Sequence, residues 1–381
     1  MKTLWHIARI LLGLVFIFSG FVKGIDPWGM AYKFTDYFNV WGMDSLTSFA
    51  LPLGILLSAT EFAIGIALVF NVFISLTSAL AVLVMSFFTV LTFILALTNP
   101  VTDCGCFGDA LILTNWETFF KNIVFLAFAI IVFAYRKRHH SAKFKPIASM
   151  MAISTILVFA YLIDYSYNHL PIIDFRPYKI GVNIPEGMTV PDDAPKDVYE
   201  NTLYYKNKNT GEVKKFTEEN SPWQDSTTWE FESIDTKLVQ EGYKAPIHNF
   251  FIETPEGEDI KDFFLYDENY TFFFISKNLD DADISNLEQL RELAQYANAQ
   301  GMNFIGLTSS LPENIDYYIA EHDLPFEMFN ADEITLKTMI RSNPGLMLIK
   351  NGTILDKWHY NDFPTIEEFE KQLKYFEVLG K

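Results

Sequence analysis

The first 170 residues alternate between long apolar runs and short polar stretches. Five runs reach the length of roughly 17–25 residues that a helix needs to cross a bilayer. They cover approximately residues 4–23, 49–70, 72–97, 119–135 and 147–163. The first run begins like a signal peptide, but it has no clear cleavage site and further spans follow. The pattern therefore predicts five membrane helices, of which the first four form a compact bundle and the fifth is a tether.

Beyond residue 170 the apolar segments become short and are separated by turn residues. Residues 201–206 and 228–232 have the composition of strands, and Asn209-Thr210-Gly211 is typical of a turn. From about residue 245, strand-like and helix-like segments alternate, which is typical of an α/β domain with a mixed sheet. Strands are predicted at 272–275, 304–307, 326–329, 346–350 and 353–359, and helices at 284–300, 315–321, 335–340 and 366–376.

These patterns divide the chain into four regions. We expect a four-helix membrane bundle over residues 1–140 and a fifth membrane helix over 141–170. An extracytoplasmic linker with strands follows over 171–244, and an α/β domain occupies 245–381. The expected fold class is therefore an all-α membrane bundle followed by an extracytoplasmic α/β domain.

Charge is divided unevenly between the two halves of the chain. Residues 1–170 carry a net charge of +2, and residues 171–381 carry −20. The acidic part lacks the basic surface that a phosphate backbone requires, which argues against nucleic-acid binding. The basic segment 136–145 predicts a cytoplasmic loop and a cytoplasmic N-terminus, with the C-terminal domain outside. The aromatic-rich segment 25–48 is typical of a stretch at the outer membrane interface.

The two cysteines of the chain, Cys104 and Cys106, lie two positions apart in the loop between the third and fourth spans. In this orientation the loop lies outside the cytoplasm, where a disulfide can persist. A disulfide closed over one residue is strained, and strained disulfides are more easily reduced. Gly105 supplies the backbone freedom that so small a ring needs. The pair either cycles between dithiol and disulfide or forms a permanent staple, and the sequence leaves both open.

The residues around the two cysteines have opposing expected effects on the pKa of the thiols. Asp103 and Asp109 are expected to raise the pKa of the thiols, whereas the start of the fourth span would favour a thiolate. Zinc is a poor fit, because two thiolates need further ligands and no histidine is close in sequence. We therefore expect no metal site.

Glu61 lies inside the second predicted span, where an ionisable side chain is costly and is usually paired or functional. Its candidate partner is Lys23, at the outer end of the first span. Glu61 is about a dozen residues from the outer end of its span, or roughly 16–18 Å at helical rise. Lys23 must therefore lie deeper than its position suggests, or water must bridge the two groups. Small residues such as Gly20 and Gly65 predict close helix packing. A structural contact and a proton-handling site both remain open for the charged pair.

The C-terminal domain resembles thioredoxin-like domains of the peroxiredoxin and membrane-tethered thiol-reductase type. Its opening, Ala245-Pro246-Ile247-His248-Asn249-Phe250, is similar to the Ala-Pro-x-Phe of that group with one extra residue. Asn343-Pro344-Gly345-Leu346 is similar to the family's cis-proline strand, which implies a cis Asn343–Pro344 bond. The segment that carries Cys-x-x-Cys in the family is here Ser276-Lys277-Asn278-Leu279-Asp280, without cysteine. The domain therefore lacks thioredoxin chemistry, and Asn343 and Pro344 either line a partner groove or belong to a packing module.

The membrane part resembles the DoxX-like superfamily. Ser19-Gly20-x-x-Lys23-x-x-Asp26-Pro27 is similar to the signature that ends its first helix, and Glu61-x-x-x-Gly65 to one in its second. Cys104-Gly105-Cys106-Phe107-Gly108 narrows the resemblance to the MauE-like branch, named after a methylamine-utilisation protein. The whole chain resembles two-domain DoxX-like proteins of Bacteroidetes. The resemblance implies a bacterial inner membrane location with the C-terminal domain in the periplasm.

The resemblance also implies a role in forming disulfides in exported proteins, or in passing thiol electrons to the membrane. On this interpretation Cys104 and Cys106 are the redox pair, Glu61 or Lys23 assists proton movement, and a quinone accepts the electrons. Membrane lipid and the thiols of exported proteins are then the partners. The alternative is a non-catalytic scaffold that presents the acidic domain to an envelope protein.

Overall fold

The computed structural model describes residues 2–101, 103–139, 146–240 and 242–378. Within these ranges the membrane part contains six α-helices: α1 (Lys2–Gly24), α2 (Pro27–Val40), α3 (Ala50–Phe70), α4 (Ile74–Thr98), α5 (Asn115–His139) and α6 (Pro146–Asn168). All of them except α2 are long and apolar enough to cross a membrane. The five predicted spans are therefore confirmed as helices, and the chain is a multi-pass membrane protein. Residues 140–145 of the predicted basic loop lie outside the described residues.

Helix α2 lies in the aromatic segment 25–48, where the hydropathy pattern alone predicts no helix. The side chain of Asp26 accepts a hydrogen bond of 2.9 Å from the Gly29 N–H, and Pro27 is the first helical residue. An aspartate N-cap followed by proline is a favoured helix start. The helix packs against α3, where the Cβ position of Gly54 lies 3.2 Å from Met30. The aromatic residues of this segment are therefore held on a rigid element.

Helices α1 and α3 run antiparallel and in close contact. A Cβ at Gly20 would lie 2.5 Å from the backbone nitrogen of Phe62, and a Cβ at Gly65 would lie 2.6 Å from that of Ile17. Only glycine fits at both positions, in agreement with the predicted close packing. Because Gly20 lies level with Phe62, the outer end of α1 reaches only the middle part of α3. About two turns of α3 project beyond that end.

The interior of the bundle is an apolar cluster built from four of the helices. Trp5, Leu12 and Phe16 of α1 pack with residues of α3, α4 and α5, and all three are at most 4% exposed. The indole N–H of Trp5 donates a 3.1 Å hydrogen bond to the carbonyl oxygen of Val132. Such packing and internal hydrogen bonding hold helices together where lipid, rather than water, surrounds them.

The described residues of Met1–Val182 and Phe250–Lys381 form one compact unit, and Asn183–Asn249 form another. In the C-terminal part of the first unit a five-stranded sheet is flanked by helices. The smaller unit contains α7 (Ile184–Met188), β1 (Val198–Asn207), β2 (Val213–Phe216) and β3 (Trp229–Gln240). The C-terminal part of the first unit contains α8 (Lys261–Leu265), β4 (Tyr270–Ser276), α9 (Leu287–Ala299), β5 (Asn303–Thr308), α10 (Pro312–His322), β6 (Met328–Asn330), α11 (Glu333–Met339), β7 (Gly345–Lys350), β8 (Thr353–His359) and α12 (Ile366–Val378).

The sheet of the C-terminal domain has the strand order β6-β5-β4-β7-β8. Strand β4 pairs in parallel with β5 and antiparallel with β7, and β7 forms a hairpin with β8. This is the thioredoxin-like arrangement of a βαβ unit followed by a β-hairpin. The Asn343–Pro344 bond before β7 is cis. The predicted thioredoxin-like domain and the cis bond are confirmed.

The centre of this sheet is buried on both faces, which explains the continuous apolar sequence of β4. Phe272 and Phe274 point into a cluster with residues of α9, β7 and α12, and both are 0% exposed. Phe273 points to the other face, where its ring lies 6.4 Å from that of Phe264. The rigid sheet fixes the loops at its ends, and these loops contact the membrane bundle.

The smaller unit contains a three-stranded antiparallel sheet of order β2-β1-β3. Both predicted strand segments lie within it, and the predicted turn at Asn209–Gly211 connects β1 to β2. The ring of Tyr205 lies 5.7 Å from those of Phe216 and Phe231, and this aromatic cluster forms its small core. The unit carries none of the predicted site residues.

Candidate functional site

The cysteine loop connects α4 to α5 and turns tightly at Gly105. Gly105 has a φ of +65° and its N–H donates a 2.8 Å hydrogen bond to the side chain of Asp103. A Cβ at this glycine would lie 3.1 Å from the side chain of Lys33, so the turn requires glycine for conformation and for space. The turn brings the side chains of Cys104 and Cys106 within hydrogen-bonding reach of each other. Both are free thiols in this structure.

Two helices hold the backbone of the cysteine loop in place. The Tyr37 hydroxyl on α2 donates a 2.9 Å hydrogen bond to the carbonyl oxygen of Cys104. The Ser19 hydroxyl on α1 donates a 2.7 Å hydrogen bond to the carbonyl oxygen of Cys106. The loop backbone is therefore held from two sides, and neither hydrogen bond involves a thiol group.

The two thiols differ strongly in acidity. A hydrogen bond from the Cys106 side chain stabilises the Cys104 thiolate and, with the nearby charge of Lys121, lowers the pKa of Cys104 to about 6. The same hydrogen bond and burial raise the pKa of Cys106 well above its ordinary value. One thiolate and one thiol at neutral pH is the arrangement that dithiol exchange uses.

The expectation that Asp103 and Asp109 raise the pKa of both thiols is wrong for Cys104. Each aspartate has a cationic partner: Lys33 lies 2.8 Å from Asp103, and Arg341 lies 3.1 Å from Asp109. The hydrogen bond from Cys106 and the charge of Lys121 instead determine the direction of the shift, and both favour the charged form of Cys104. Sequence alone could not show this pairing, because Arg341 is distant in the chain.

Lys23 and Glu61 form a direct ion pair of 2.5 Å, with side chains only 2% and 4% exposed. No bridging water is needed to join them. The stagger of the helices explains this contact, because the outer end of α1 lies level with the middle of α3 beside Gly20. The depth of Glu61 within its own span therefore matches the end of the neighbouring helix. An ion pair removed from water to this degree is costly unless its geometry is good.

A small cavity of about 40 Å³ brings Cys106 together with this ion pair. Its lining includes Ser19, Lys23, Glu61, Cys106, Lys121 and Asn122. The volume is enough for two or three water molecules at roughly 10–15 Å³ each. The structure thus unites three of the four predicted redox and proton-handling residues around one small cavity, whose other walls include Phe16, Met85 and Phe88.

Cys104, the fourth, faces a different and larger cavity of about 570 Å³. Apolar and aromatic side chains of α2, α3 and α4 line it, among them Phe34, Tyr37, Phe38, Trp41, Leu57 and Phe87. Phe88 lines both this cavity and the polar one, so its ring forms part of the wall between them. The two sulfur atoms therefore face two chemically unlike spaces.

The C-terminal α/β domain, called the outer domain here after its predicted side of the membrane, contacts the cysteine loop directly. The guanidinium of Arg341 is almost buried and lies 3.0 Å from Asp26 and 3.1 Å from Asp109. Burial alone would raise the pKa of Asp26, but the charges of Arg341 and Arg176 and the hydrogen bonds from Arg341 and Gly29 together outweigh it and hold that pKa below its usual range. Arg341 is three residues before the cis Pro344, and Asp109 is three residues after Cys106. One cation thus joins the cis-proline loop, the start of α2 and the cysteine loop.

A second contact involves the segment that replaces Cys-x-x-Cys. The ammonium group of Lys277 donates a 2.9 Å hydrogen bond to the Tyr32 hydroxyl and lies 5.2 Å from the centre of the Trp28 ring. Both distances suit a hydrogen bond and a cation–π contact. Trp28 and Tyr32 of α2 therefore contact the C-terminal domain.

Of the two residues predicted to line a partner groove, Asn343 and Pro344, only Asn343 lines a cavity of about 520 Å³ between α2 and the cis-proline loop. Asn343 lines it, but its amide also donates to the Asn278 carbonyl oxygen at 2.9 Å and accepts from Ser276 at 2.9 Å. The groove therefore faces the protein's own membrane helix, which the sequence did not predict. Within the described part of the chain, no group of three or more His, Cys, Asp or Glu residues is placed to hold a metal ion.

Sequence reasoning missed four residues of this site: Arg341, Tyr37, Ser19 and Lys121. An Asp-Pro helix start at residues 26–27 could have revealed α2, and with it the position of Tyr37. Ser19 belongs to the signature that ends the first helix, so its position was available even though its role was not. Arg341 and Lys121 carried no local signal, because their contacts are set by tertiary packing.

Comparisons with known proteins agree with this division of the chain. Residues 1–135 match the family of the methylamine utilisation protein MauE, and residues 199–241 match a domain of unknown function, DUF8463. No curated protein matches the chain. A solved structure that is similar to it is the solution structure of a candidate protein disulfide isomerase from Bacteroides thetaiotaomicron. That likeness has 13% identity, covers 34% of this chain and 84% of that chain, and has a TM-score of 0.26. The stretch that matches the MauE family therefore contains both cysteines and the Lys23–Glu61 pair.

Proposed function

We propose that this protein is a membrane thiol–disulfide redox protein that supports disulfide formation in exported proteins. The observation that carries the proposal is the cysteine loop: two thiols of opposed acidity, fixed by α1 and α2, at the end of a membrane bundle. In this proposal the N-terminus is cytoplasmic and the loop and outer domain lie in the periplasm of a bacterial inner membrane.

The proposed cycle begins with Cys104 and Cys106 joined as a disulfide. A thiolate of an exported protein attacks one loop sulfur and forms a mixed disulfide. The second thiolate of that protein then attacks its own half of the mixed disulfide, which releases an oxidised substrate and a reduced loop. Two electrons and two protons must leave the loop dithiol before the next turnover. A membrane quinone is the proposed acceptor and becomes a hydroquinone.

The proposed role of Lys23 and Glu61 is to take up the proton that leaves Cys106. They share a small cavity with that thiol, and when Glu61 takes its proton the negative charge passes to the Cys106 sulfur, on which the positive charge of Lys23 also acts. The positive charges of Lys23 and Lys121 also favour loss of a proton from Cys106. The cavity is separated from the apolar one by Phe88, so the proton and the electron pair have different exits.

Thiol trapping in intact cells tests the proposal. Cells producing the wild type should hold a fraction of the Cys104–Cys106 pair as disulfide, and exported dithiol proteins should become oxidised. Cys104→Ser and Cys106→Ser should each leave those exported proteins reduced, and a mixed disulfide should accumulate in one of the two. A matched control is Ser78→Cys, which adds a thiol within the bundle and should not support oxidation. Unchanged redox states of exported proteins in both serine variants would reject the function.

The scaffold alternative makes a different prediction. The Arg341 and Lys277 contacts support the scaffold alternative, because they hold a domain without cysteines against the membrane part. A scaffold should retain a stoichiometric envelope partner in the Cys104→Ser/Cys106→Ser variant during purification. Loss of function in that variant, with the partner still bound, would reject the scaffold and favour redox chemistry.

A further inference from the structure

The apolar cavity beside Cys104 has the size and lining of a ligand site. Its volume of about 570 Å³ lies within the usual range of roughly 300–1,000 Å³ for small-molecule pockets. Its polar groups are few, and the Tyr37 hydroxyl is already bound to the Cys104 carbonyl oxygen. A ligand that fills this space must therefore be mainly apolar.

The shape of the lining favours a flat ring. The rings of Tyr37 and Trp41 stack with centroids 5.5 Å apart, and those of Phe34 and Phe38 lie 6.0 Å apart. Aromatic walls of this kind hold a planar ligand by offset stacking and edge contacts. The cavity combines such walls with a thiol in a single site.

The cavity is placed for entry from the bilayer. Leu83 and Phe87 of α4 lie on its margin and are 66% and 63% exposed on the apolar outside of the bundle. In a membrane that surface meets acyl chains rather than water. A ligand with a hydrocarbon tail could place its ring in the cavity and leave its tail among the lipids.

The redox balance identifies the class of ligand. The described bundle offers one dithiol, and the outer domain has no cysteine that could accept its electrons. The cavity at Cys106 is only about 40 Å³ and contains the Lys23–Glu61 pair, so the larger cavity at Cys104 is the one with room for a lipid-soluble acceptor. An acyl chain fits the walls but cannot accept electrons, whereas a quinone fits both requirements.

We propose that the cavity lined by Phe34, Tyr37, Phe38, Trp41, Leu57 and Cys104 binds the ring of an isoprenoid quinone, and that Cys104 is the sulfur that meets it. The inference rests on the proposed function and adds its acceptor site. In the step, Cys106 gives its proton to Glu61, and the Cys104 and Cys106 sulfur atoms form the S–S bond, which releases two electrons. The quinone takes up these two electrons and two protons from water and leaves as a hydroquinone. The proton that Cys104 lost to water on ionising and the Cys106 proton, which Glu61 returns to water, balance the two protons taken up.

Binding can be measured without turnover. The full-length protein in nanodiscs is titrated with decyl-ubiquinone and with a short-chain menaquinone while tryptophan fluorescence is recorded. A quinone in the cavity should quench Trp41, so the Trp41→Phe variant should lose most of the saturable quenching. The Cys104→Ser/Cys106→Ser variant should retain that quenching, because it keeps the cavity and loses only the chemistry.

A filled cavity provides the decisive comparison. Leu57→Phe adds bulk to the lining and should weaken quinone binding by about tenfold. Leu56→Phe on the same helix is the matched control, since Leu56 is 63% exposed and lies outside the lining, and its binding should stay unchanged. Stopped-flow loss of the loop thiols on mixing with quinone should slow in Leu57→Phe and remain normal in Leu56→Phe.

Three results would overturn the site. Saturable quenching that is the same in wild type, Trp41→Phe and Leu57→Phe would place the quinone elsewhere. Displacement of the quinone by oleate with equal affinity, and no oxidation of the thiols, would make the cavity a lipid site. Absence of saturable binding in the wild type would also reject the site. Each leaves the serine-variant test of exported proteins unaffected, so failure of the site and failure of the function are distinguishable.

Discussion

A thioredoxin-like protein usually has its fold and its redox cysteines in one domain. Here the outer domain has the fold, and the membrane bundle has the cysteines. The outer domain has the strand order and the cis Pro344 of that fold, but Lys277 and its neighbours occupy the place of the redox cysteines. The bundle has an unrelated helical fold and both thiols. The fold of a domain therefore does not locate the chemistry here, and the individual residues do.

The two regions also differ in how many partners their buried lysines have. In the outer domain Lys357 has three partners: Asp174 at 2.6 Å, and the carbonyl oxygens of Tyr178 and Met339 at 2.9 Å each. In the bundle, Glu61 is the one charged partner found for Lys23 among the described residues. A lysine with three acceptors is satisfied and structural. A lysine that depends on a single carboxylate is sensitive to any change in the charge of that carboxylate.

The largest expected effect comes from breaking the bundle's ion pair. Glu61→Gln or Lys23→Met leaves one charge buried without its partner and should cost about 3–5 kcal/mol. Thermal unfolding in detergent should show a clear fall in midpoint for either single variant.

The double variant Lys23→Met/Glu61→Met sharpens the comparison. Replacing both charges by apolar groups removes the uncompensated charge and should restore most of the stability. Oxidation of exported proteins should nevertheless remain impaired, because the pair would no longer handle the proton of Cys106. Full activity in a stable double variant would make the pair a purely structural contact.

A smaller effect is expected where the two regions meet. Arg341→Met removes the cation that joins Asp26 and Asp109 and should weaken docking of the outer domain by about 1.5–3 kcal/mol. Alkylation of Cys106 by a small maleimide should become faster, since the loop loses one of its anchors.

The matched control for that experiment is Arg291→Met within the outer domain. Arg291 makes a single hydrogen bond of 3.4 Å to the carbonyl oxygen of His322 and has no contact with the bundle among the described contacts. Its substitution should leave the alkylation rate of Cys106 unchanged. Equal acceleration in both variants would point to general loosening of the domain and against a specific role of Arg341.

A third prediction concerns the pH dependence of the loop. The Cys104 thiolate should appear with a midpoint near pH 6, because its pKa is lowered to about 6 chiefly by the Cys106 hydrogen bond. Cys106→Ala should move the midpoint upward toward the ordinary value of roughly 8.5. Ultraviolet absorbance of the thiolate during a pH titration measures both.

The same group contributes to stability with a defined sign. The unfolded chain holds the Cys104 proton up to about pH 8.5, whereas the folded chain releases it near pH 6. Stability from this group is therefore fully present above that upper value and is lost as the pH falls through 6. In Cys106→Ala this slope should shrink, and an unchanged slope would assign it to another group.

The smallest effect is expected at the surface of the outer domain. Lys371 and Glu367 form an ion pair of 2.8 Å on α12, but their side chains are 70% and 80% exposed. Solvent and salt screen such a pair, so Lys371→Ala should leave the unfolding midpoint unchanged within error. A large shift there would remove the distinction between buried and exposed pairs on which the preceding predictions depend.

Much of the fold follows from local pattern. The five spans are set by length and hydropathy, and the strands and hairpin of the outer domain by apolar runs between turn residues such as Asn351 and Gly352. What local pattern cannot supply is the relative displacement of elements. The Lys23–Glu61 contact depends on how far α1 reaches along α3, which is fixed by contacts at Gly20 and Gly65.

The candidate site was predictable to a similar degree. Cys104 and Cys106 are evident from composition, and Glu61 from its position inside an apolar run. The acidity difference between the thiols was not predictable, because it arises chiefly from the hydrogen bond between their side chains and from burial in the folded loop. The pairing of Arg341 and Lys33 with the aspartates that flank the loop was not predictable either. Those cations lie 232 and 70 residues away from their partners in sequence. Contacts at such separations leave no periodic or local trace.

The contact between Asp109 and Arg341 has a consequence for the order of synthesis. The ribosome completes the cysteine loop long before it reaches Arg341, since 232 residues separate the two partners. At roughly 5–20 residues per second, this interval lasts about 12–46 s. Throughout that time the cysteine loop has been synthesised, but Arg341 has not, so the contact with Asp109 is absent. We therefore expect the mature reactivity of the pair to arise only after the outer domain has been exported and folded.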